Sequence, residues 1–137
     1  MKVFVDTNIL IDFICNRDEF YDDAETVFAY GLSGLTSVSI TDISIINTLY
    51  VGKRYGYTVE ELSNLLSETL SYCNLSIIDS NVILNALNSI WKDKEDATQY
   101  YAAKESMADI IITRNVKDFQ LSDIPVMTPK EFIKQVQ

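Results

Sequence analysis

At 137 residues with 47% hydrophobic content, the chain has the size of one globular domain, burying roughly two-thirds of the surface its unfolded form exposes, and a second domain is not expected. The net charge of -9, from 20 acidic and 11 basic residues, excludes a surface that grips nucleic acid by nonspecific electrostatics alone, while permitting a local site where metal ions neutralise carboxylates. The absence of histidine excludes Ser-His-Asp and Cys-His nucleophiles, imidazole acid-base ribonuclease chemistry and most zinc sites.

Lys2 leads directly into an apolar run, so residues 2–5 are predicted as a buried strand. That start lacks the pattern of a signal peptide, and no apolar run nears the ~18 residues of a membrane span, so a cytoplasmic protein is expected. A helix over residues 8–15 carries Ile9, Leu10, Phe13 and Ile14 on one face. A second helix covers 21–30, with Ala24, Val27 and Phe28 at helical spacing until Gly31 and Gly34 break the pattern. Residues 35–38 are predicted as a second strand and 40–55 as a helix. Thr58 is placed to cap the next helix with Glu61 closing a capping box, and Leu62, Leu65, Leu66 and Leu70 form its buried stripe.

Residues 75–78 are predicted as a third strand, and Asp79 or Ser80 caps a helix running to about Trp91. The polar segment 92–96 enters a helix carrying Ala97, Tyr100, Tyr101, Ala103 and Ala108. Residues 110–113 form a fourth strand and 124–127 a short fifth. Thr128 and Pro129 open a final helix. Strands alternating with helices imply a three-layer α/β/α fold with a central, mainly parallel sheet, because parallel neighbours need crossovers that cover both faces. Cys15 and Cys73 lack metal-type spacing and are expected to be buried hydrophobes.

Polar residues cluster where strands one and four stop, and ligands of open parallel sheets bind at that edge. Asp6 directly follows the first strand, where it serves either as a helix cap or as a carboxylate facing the crevice. Asp96 lies in the first turn of a helix and shares the stripe Asp96, Tyr100, Ala103, Met107. Asn47 occupies the apolar stripe Ile40, Ile43, Asn47, Tyr50, so its amide either satisfies backbone groups or faces the site. After strand four, Thr113, Asn115 and Asp118 are placed to converge on the edge that holds Asp6, although turn and cap roles also suit Asn115 and Asp118. Clustered carboxylates repel one another, and a divalent cation relieves that repulsion. Oxygen-only ligation points to Mg²⁺ or Mn²⁺.

The opening Val3-Phe4-Val5-Asp6-Thr7-Asn8, the helix start Glu95-Asp96-Ala97 and the segment Ile112-Thr113-Arg114-Asn115-Val116-Lys117-Asp118-Phe119, in this order over nearly the whole chain, resemble the PIN domain. The segment Ile124-Pro125-Val126-Met127-Thr128-Pro129-Lys130-Glu131-Phe132 resembles that family's closing strand and helix. The resemblance implies a parallel sheet flanked by helices and a metal-dependent endoribonuclease, of the kind found as toxins in bacterial VapBC toxin-antitoxin pairs. It implies that Asp6 and Asp96 hold Mg²⁺ or Mn²⁺, that Asp118 ligates it or orients water, and that Asn47 and Asn115 position water or phosphate. Thr113 would hydrogen-bond a ligating carboxylate, and Arg114 or Lys117 would contact the RNA backbone. A glutamate is usual in the family on the helix that here carries Asn47, and an amide there removes a negative charge.

The expected partners are an RNA substrate, a small antitoxin that covers the crevice, and a second copy of the chain; no membrane partner is expected. A competing reading is a catalytically weakened PIN-like protein that binds RNA or protein. A phosphoryl-transfer domain using Asp6 as nucleophile shares the α/β pattern but needs an acidic pair that this opening lacks.

Overall fold

The computed structural model describes residues 1–137. Its centre is a sheet of five parallel strands, β1 (Lys2–Val5), β2 (Ser37–Thr41), β3 (Asn74–Ser76), β4 (Ile110–Ile112) and β5 (Val126–Met127), in the order β3-β2-β1-β4-β5. Around it lie seven α-helices: α1 (Thr7–Ile14), α2 (Tyr21–Leu32), α3 (Asp42–Arg54), α4 (Val59–Leu70), α5 (Ser80–Leu87), α6 (Lys94–Glu105) and α7 (Pro129–Val136).

Alternation along the central strands sorts their side chains onto two faces. Val3, Val5, Ile110 and Ile112 point into one core with Ile9 and Leu10 of α1, Val27 and Phe28 of α2, Leu62 of α4 and Phe132 of α7. Phe4 and Ile111 point the other way, into a core closed by Val82 and Ala86 of α5, Ala97, Tyr100 and Ala103 of α6, Trp91 and Phe119. The three-layer α/β/α architecture expected from the alternation is therefore present, with both sheet faces covered as a parallel sheet requires.

Several boundaries differ from the sequence reading. Strand two lies at Ser37–Thr41 rather than 35–38, because pairing with β1 sets Val38 opposite Val3 and Ser39 opposite Phe4. Ile40 is thus a fully buried strand residue, not the start of a helix, and Leu35 is exposed. The interleaved serines and threonine disguised a strand buried on both faces. Helix α2 runs through Gly31, which permits close approach to β2: a Cβ there would stand 2.9 Å from Val38 Cγ2. Only Gly34, at φ +83, breaks the chain direction.

Helix α5 ends at Leu87 instead of about Trp91, because the Asn88 amide donates to the Leu84 carbonyl (3.0 Å) and the Ser89 hydroxyl to that of Ala86 (2.7 Å). Trp91 then folds back to stack on Tyr100. Helix α6 stops at Glu105, so Met107 and Ala108 lie beyond it and Met107 is exposed. In α4, Leu62 and Leu66 are buried while Leu65 is partly exposed. Both capping boxes, Thr58 with Glu61 and Thr128 with Glu131, are formed, and Pro129 is the first residue of α7. Cys15 and Cys73 are free thiols.

Candidate active site

From β1 the chain crosses to β2 on one side, and later returns to place β4 on the other. The carboxyl ends of β1 and β4 therefore flank a topological switch point, where an open α/β sheet leaves a crevice. Asp6 and Thr113 are the residues that end these two strands. The Asp6 N–H continues the ladder to the Ile112 carbonyl at 2.9 Å.

The two roles open to Asp6 coexist. Its Oδ1 accepts from the Thr7 N–H (2.8 Å) and caps α1, while Oδ2 accepts from the Thr113 hydroxyl (2.8 Å). Only 7% of Asp6 is exposed, and burial pushes its carboxyl up despite those two hydrogen bonds pulling it down. Thr113 is fully buried, and its Oγ1 also accepts from the Asn115 N–H at 3.1 Å, which turns the chain away from the sheet.

Asp96 enters from α6. Asp93 caps that helix by accepting from the N–H groups of Glu95 (2.9 Å) and Asp96 (3.0 Å), which fixes Asp96 in the first turn. Burial, and then the carboxylates of Asp93, Asp6, Asp118 and Glu95, push the Asp96 carboxyl up to about 7. Asp6, Asp96 and Asp118 therefore share one electrostatic neighbourhood. Asp118 is exposed, on a 3-10 turn at Val116–Phe119, and the Asn115 side chain is exposed just before it.

These oxygen donors fit a hard divalent cation by their chemistry, and a cation would relieve the part of the upward push on Asp96 that comes from its neighbouring carboxylates, burial being the larger cause. As placed, no three acidic side chains stand close enough to share an ion. Asp6 is held by two hydrogen bonds, whereas Asp96 is half-buried and Asp118 exposed, which leaves those two the freer to turn.

Asn47 does not sit on an apolar stripe. The buried face of α3 is Ser44, Thr48 and Gly52, while Ile46 and Tyr50 are exposed and Ile40 belongs to β2. Asn47 is half-buried on the flank and makes no side-chain hydrogen bond to Asp6, Asp96 or Asp118. The residue of α3 that reaches the neighbourhood of Asp6 is Ser44. Its Oγ lies 2.6 Å from Thr7 Oγ1 and accepts from the Thr41 hydroxyl at 2.9 Å. Gln99, one turn along α6 from Asp96, donates from Nε2 to Thr7 Oγ1 (3.1 Å), and its Oε1 is buried without a partner. On the sequence alone Ser44, like Asp42 and Thr48, has an ordinary exposed or capping explanation, and Gln99 carries no charge to draw notice; their signal was a polar residue at the N3 position of a Thr-capped helix and another three residues after Asp96.

Asp12 was also missed. It lies on α1 with only 1% of its side chain exposed, three residues from buried Ile9, a spacing that demands a counter-ion. Arg114 supplies it, with Nε 2.8 Å from Oδ2 and Nη2 3.3 Å from Oδ1, while Arg17 Nε lies 3.4 Å from Oδ1. Burial pushes the Asp12 carboxyl up and the two guanidiniums pull it down. The Arg114 guanidinium lies 4.0 Å from the centre of the Phe20 ring, so Arg114 is clamped rather than free to reach along a polynucleotide backbone. Lys117 remains exposed and unpaired beside Asp118.

A family profile described as PIN domain matches residues 2–117. No curated protein matches the sequence. Among solved structures, a toxin-antitoxin complex from Klebsiella pneumoniae contains a chain 26% identical to this one, with a TM-score of 0.67, the match covering 93% of this chain and 97% of that one. A chain of VapBC-1 from nontypeable Haemophilus influenzae is 21% identical with a TM-score of 0.68, over 95% of this chain and 99% of its own. VapC20 of Mycobacterium tuberculosis, described as a sarcin-ricin loop cleaving toxin, is 13% identical with a TM-score of 0.62, over 80% and 86% of the two chains.

Proposed function

Since the chain belongs to the PIN domain family, we propose that it is a divalent-metal-dependent endoribonuclease, folded as a single domain over residues 1–137 and acting in the cytoplasm as the toxin of a toxin-antitoxin pair. The observation that carries this reading is geometric: Asp6, held by Thr113 at the switch point of the sheet, with Asp96 of α6 near enough to feel the charges of Asp6 and Asp118. Carboxylates that face one crevice and repel one another suit a site completed by a cation once Asp96 and Asp118 turn toward Asp6.

In this reading Asp6, Asp96 and Asp118 hold Mg²⁺ or Mn²⁺. When bound, the cation neutralises the carboxylates, activates water and stabilises charge on the phosphate. Thr113 fixes the direction of the Asp6 carboxylate, and Asn115, at the rim, orients water or a phosphate oxygen. Asn47, on the flank of α3, reaches the site at most through solvent and is not needed to hold the cation. Lys117 meets the RNA backbone beside Asp118. A small antitoxin is the proposed partner, by analogy with the 26%-identical Klebsiella chain, which comes from a toxin-antitoxin complex. Self-association into a homodimer is proposed as well.

A second reading, a catalytically weakened domain that binds RNA or protein, is favoured by the absence of three converging carboxylates and by the neutral Ser44 beside Thr7. The test is cleavage of mixed structured and unstructured RNA with Mn²⁺, Mg²⁺ or EDTA, using the protein and its Asp6→Asn and Asp96→Asn variants. Cutting that needs the cation and disappears in both variants is the expected result. A folded protein that neither cuts nor binds the cation overturns the nuclease in favour of the binding domain.

A further inference from the structure

A cleft of about 350 Å³ lies between the Phe20 turn and the start of α7, joined to the Asp6 site by Asn115, whose N–H donates to Thr113. Arg114 is part of its lining. The guanidinium is held flat by two bonds to Asp12, at 2.8 and 3.3 Å, and by the Phe20 ring at 4.0 Å beneath it. Asp12 is itself buried, so swinging the guanidinium away would leave it only the longer 3.4 Å contact with Arg17. About a quarter of the Arg114 side chain (24%) remains exposed, and Arg114 lines the cleft.

The walls distinguish between ligands. Asp12 and Asp23 border the cleft together with Arg114 and Lys130, so its charges balance and a simple anion gains little there. A flat, neutral group with hydrogen-bonding edges suits the lining better. Planar guanidinium surfaces stack on nucleobases, and a guanidinium pinned in advance loses little conformational freedom when one arrives. Asn115 and Asp23 stand at the walls to meet donors and acceptors on a base edge. Lys130, whose only ion pair is a loose 3.6 Å contact with Asp23, is 74% exposed and free to meet a phosphate.

Resting on the ribonuclease reading, we propose that this cleft is a nucleobase subsite: one unpaired base of a single-stranded RNA lies on Arg114, clamped by Asp12 and Phe20, next to the carboxylate site at Asp6. Lys130 meets the backbone of that nucleotide. Arg114 acts here through its face, not as a phosphate ligand.

The test uses the metal-free protein in EDTA, titrated with each of the four ribonucleoside 5′-monophosphates, with ribose 5-phosphate and inorganic phosphate as controls. Binding is followed in ¹H–¹⁵N spectra through the Arg114 Nε–H and the backbone amides of Asn115 and Lys130. Ring-current shifts with nucleotides and none with the two controls are expected. Arg114→Lys, which keeps a charge for Asp12 but no planar face, is expected to weaken nucleotide binding roughly tenfold. Lys130→Ala, at an exposed position that leaves the fold intact, is expected to weaken it more modestly and to raise KM for RNA with little change in kcat.

Equal shifts with phosphate alone would reduce the cleft to an anion site and overturn the proposal, as would no shift with any nucleotide at millimolar concentration. RNA cleavage without nucleotide shifts at Arg114 removes the subsite and leaves the nuclease standing. Nucleotide shifts without RNA cleavage do the reverse.

Discussion

The Thr113 hydroxyl donates to Asp6 Oδ2 across 2.8 Å, tying the ends of β4 and β1 together although the two residues lie 107 positions apart in the chain. Because Thr113 Oγ1 also accepts from the Asn115 N–H, one buried hydroxyl orients both the carboxylate and the turn that follows. Removing it strands a buried carboxylate oxygen and a backbone donor. Thr113→Val is therefore expected to lower stability by about 1–3 kcal/mol, with Thr113→Ser close to the parent. Urea unfolding at pH 7 in EDTA measures it; equal midpoints for Val and Ser would mean that the bond carries no net weight.

The Asp96 carboxyl gives a pH dependence whose sign is fixed by its elevation to about 7. A carboxyl that holds its proton more tightly in the folded state favours folding below its unfolded value of about 4, and that contribution is lost as pH rises through the folded value. Above pH 7 the metal-free protein thus carries a half-exposed, repelled carboxylate. Asp96→Asn is expected to stabilise it at pH 8 by about 1–2 kcal/mol after allowance for solvent screening, with little effect at pH 4. Denaturation midpoints at the two pH values in EDTA report this. A variant less stable than the parent at pH 8 would contradict the electrostatic picture.

Asp12 and Arg114 form the buried ion pair on which the neighbouring cleft depends. Truncating one partner leaves the other charge in a poorly solvated place, and such losses reach about 3–5 kcal/mol. Partial exposure of Arg114 moderates this, so Asp12→Ala is expected to cost about 2–4 kcal/mol. Arg114→Ala leaves the more deeply buried Asp12 with only the 3.4 Å contact to Arg17 and should cost a similar amount. The double variant should be appreciably less destabilised than the sum of the two singles, the mark of direct coupling. Strictly additive losses in guanidinium unfolding would show that the pair is not coupled in solution.

Legibility in the sequence followed the strength of local patterns. Strands β1 and β4 are continuous apolar runs that stop at a polar residue, so Asp6 and Thr113 could be placed at one edge without knowing the fold. The capping boxes at Thr58 and Thr128 are local too. Strand β2 was misplaced because Ser37, Ser39 and Thr41 interrupt its apolar residues, and the register that buries them comes from pairing with β1, which is not local information. The shift carried an error forward: with Ile40 assigned to a helix, the stripe it anchored brought Asn47 inward, whereas the true helix begins at Asp42 and buries Ser44, Thr48 and Gly52. Asp12 escaped for a related reason, since its partner Arg114 lies 102 positions away.

That corrected register makes the last prediction, which separates two positions of α3 one turn apart. Ser44 is fully buried, and its Oγ joins Thr7, which follows Asp6, to the Thr41 cap and lies 3.5 Å from Gln99 Nε2. Ser44→Ala leaves the hydroxyls of Thr7 and Thr41 short of a partner and should cost about 1–2 kcal/mol. By loosening the start of α1, it should also weaken divalent-cation binding. Asn47, half-buried and without a side-chain hydrogen bond to the carboxylates, lacks that leverage, so Asn47→Ala is expected to change stability by less than about 0.5 kcal/mol. Mn²⁺ titration by calorimetry, alongside urea unfolding, compares the two variants. If Asn47→Ala weakened Mn²⁺ binding while Ser44→Ala did not, the polar support of the site would lie on the flank of α3 and not on the face that meets Thr7.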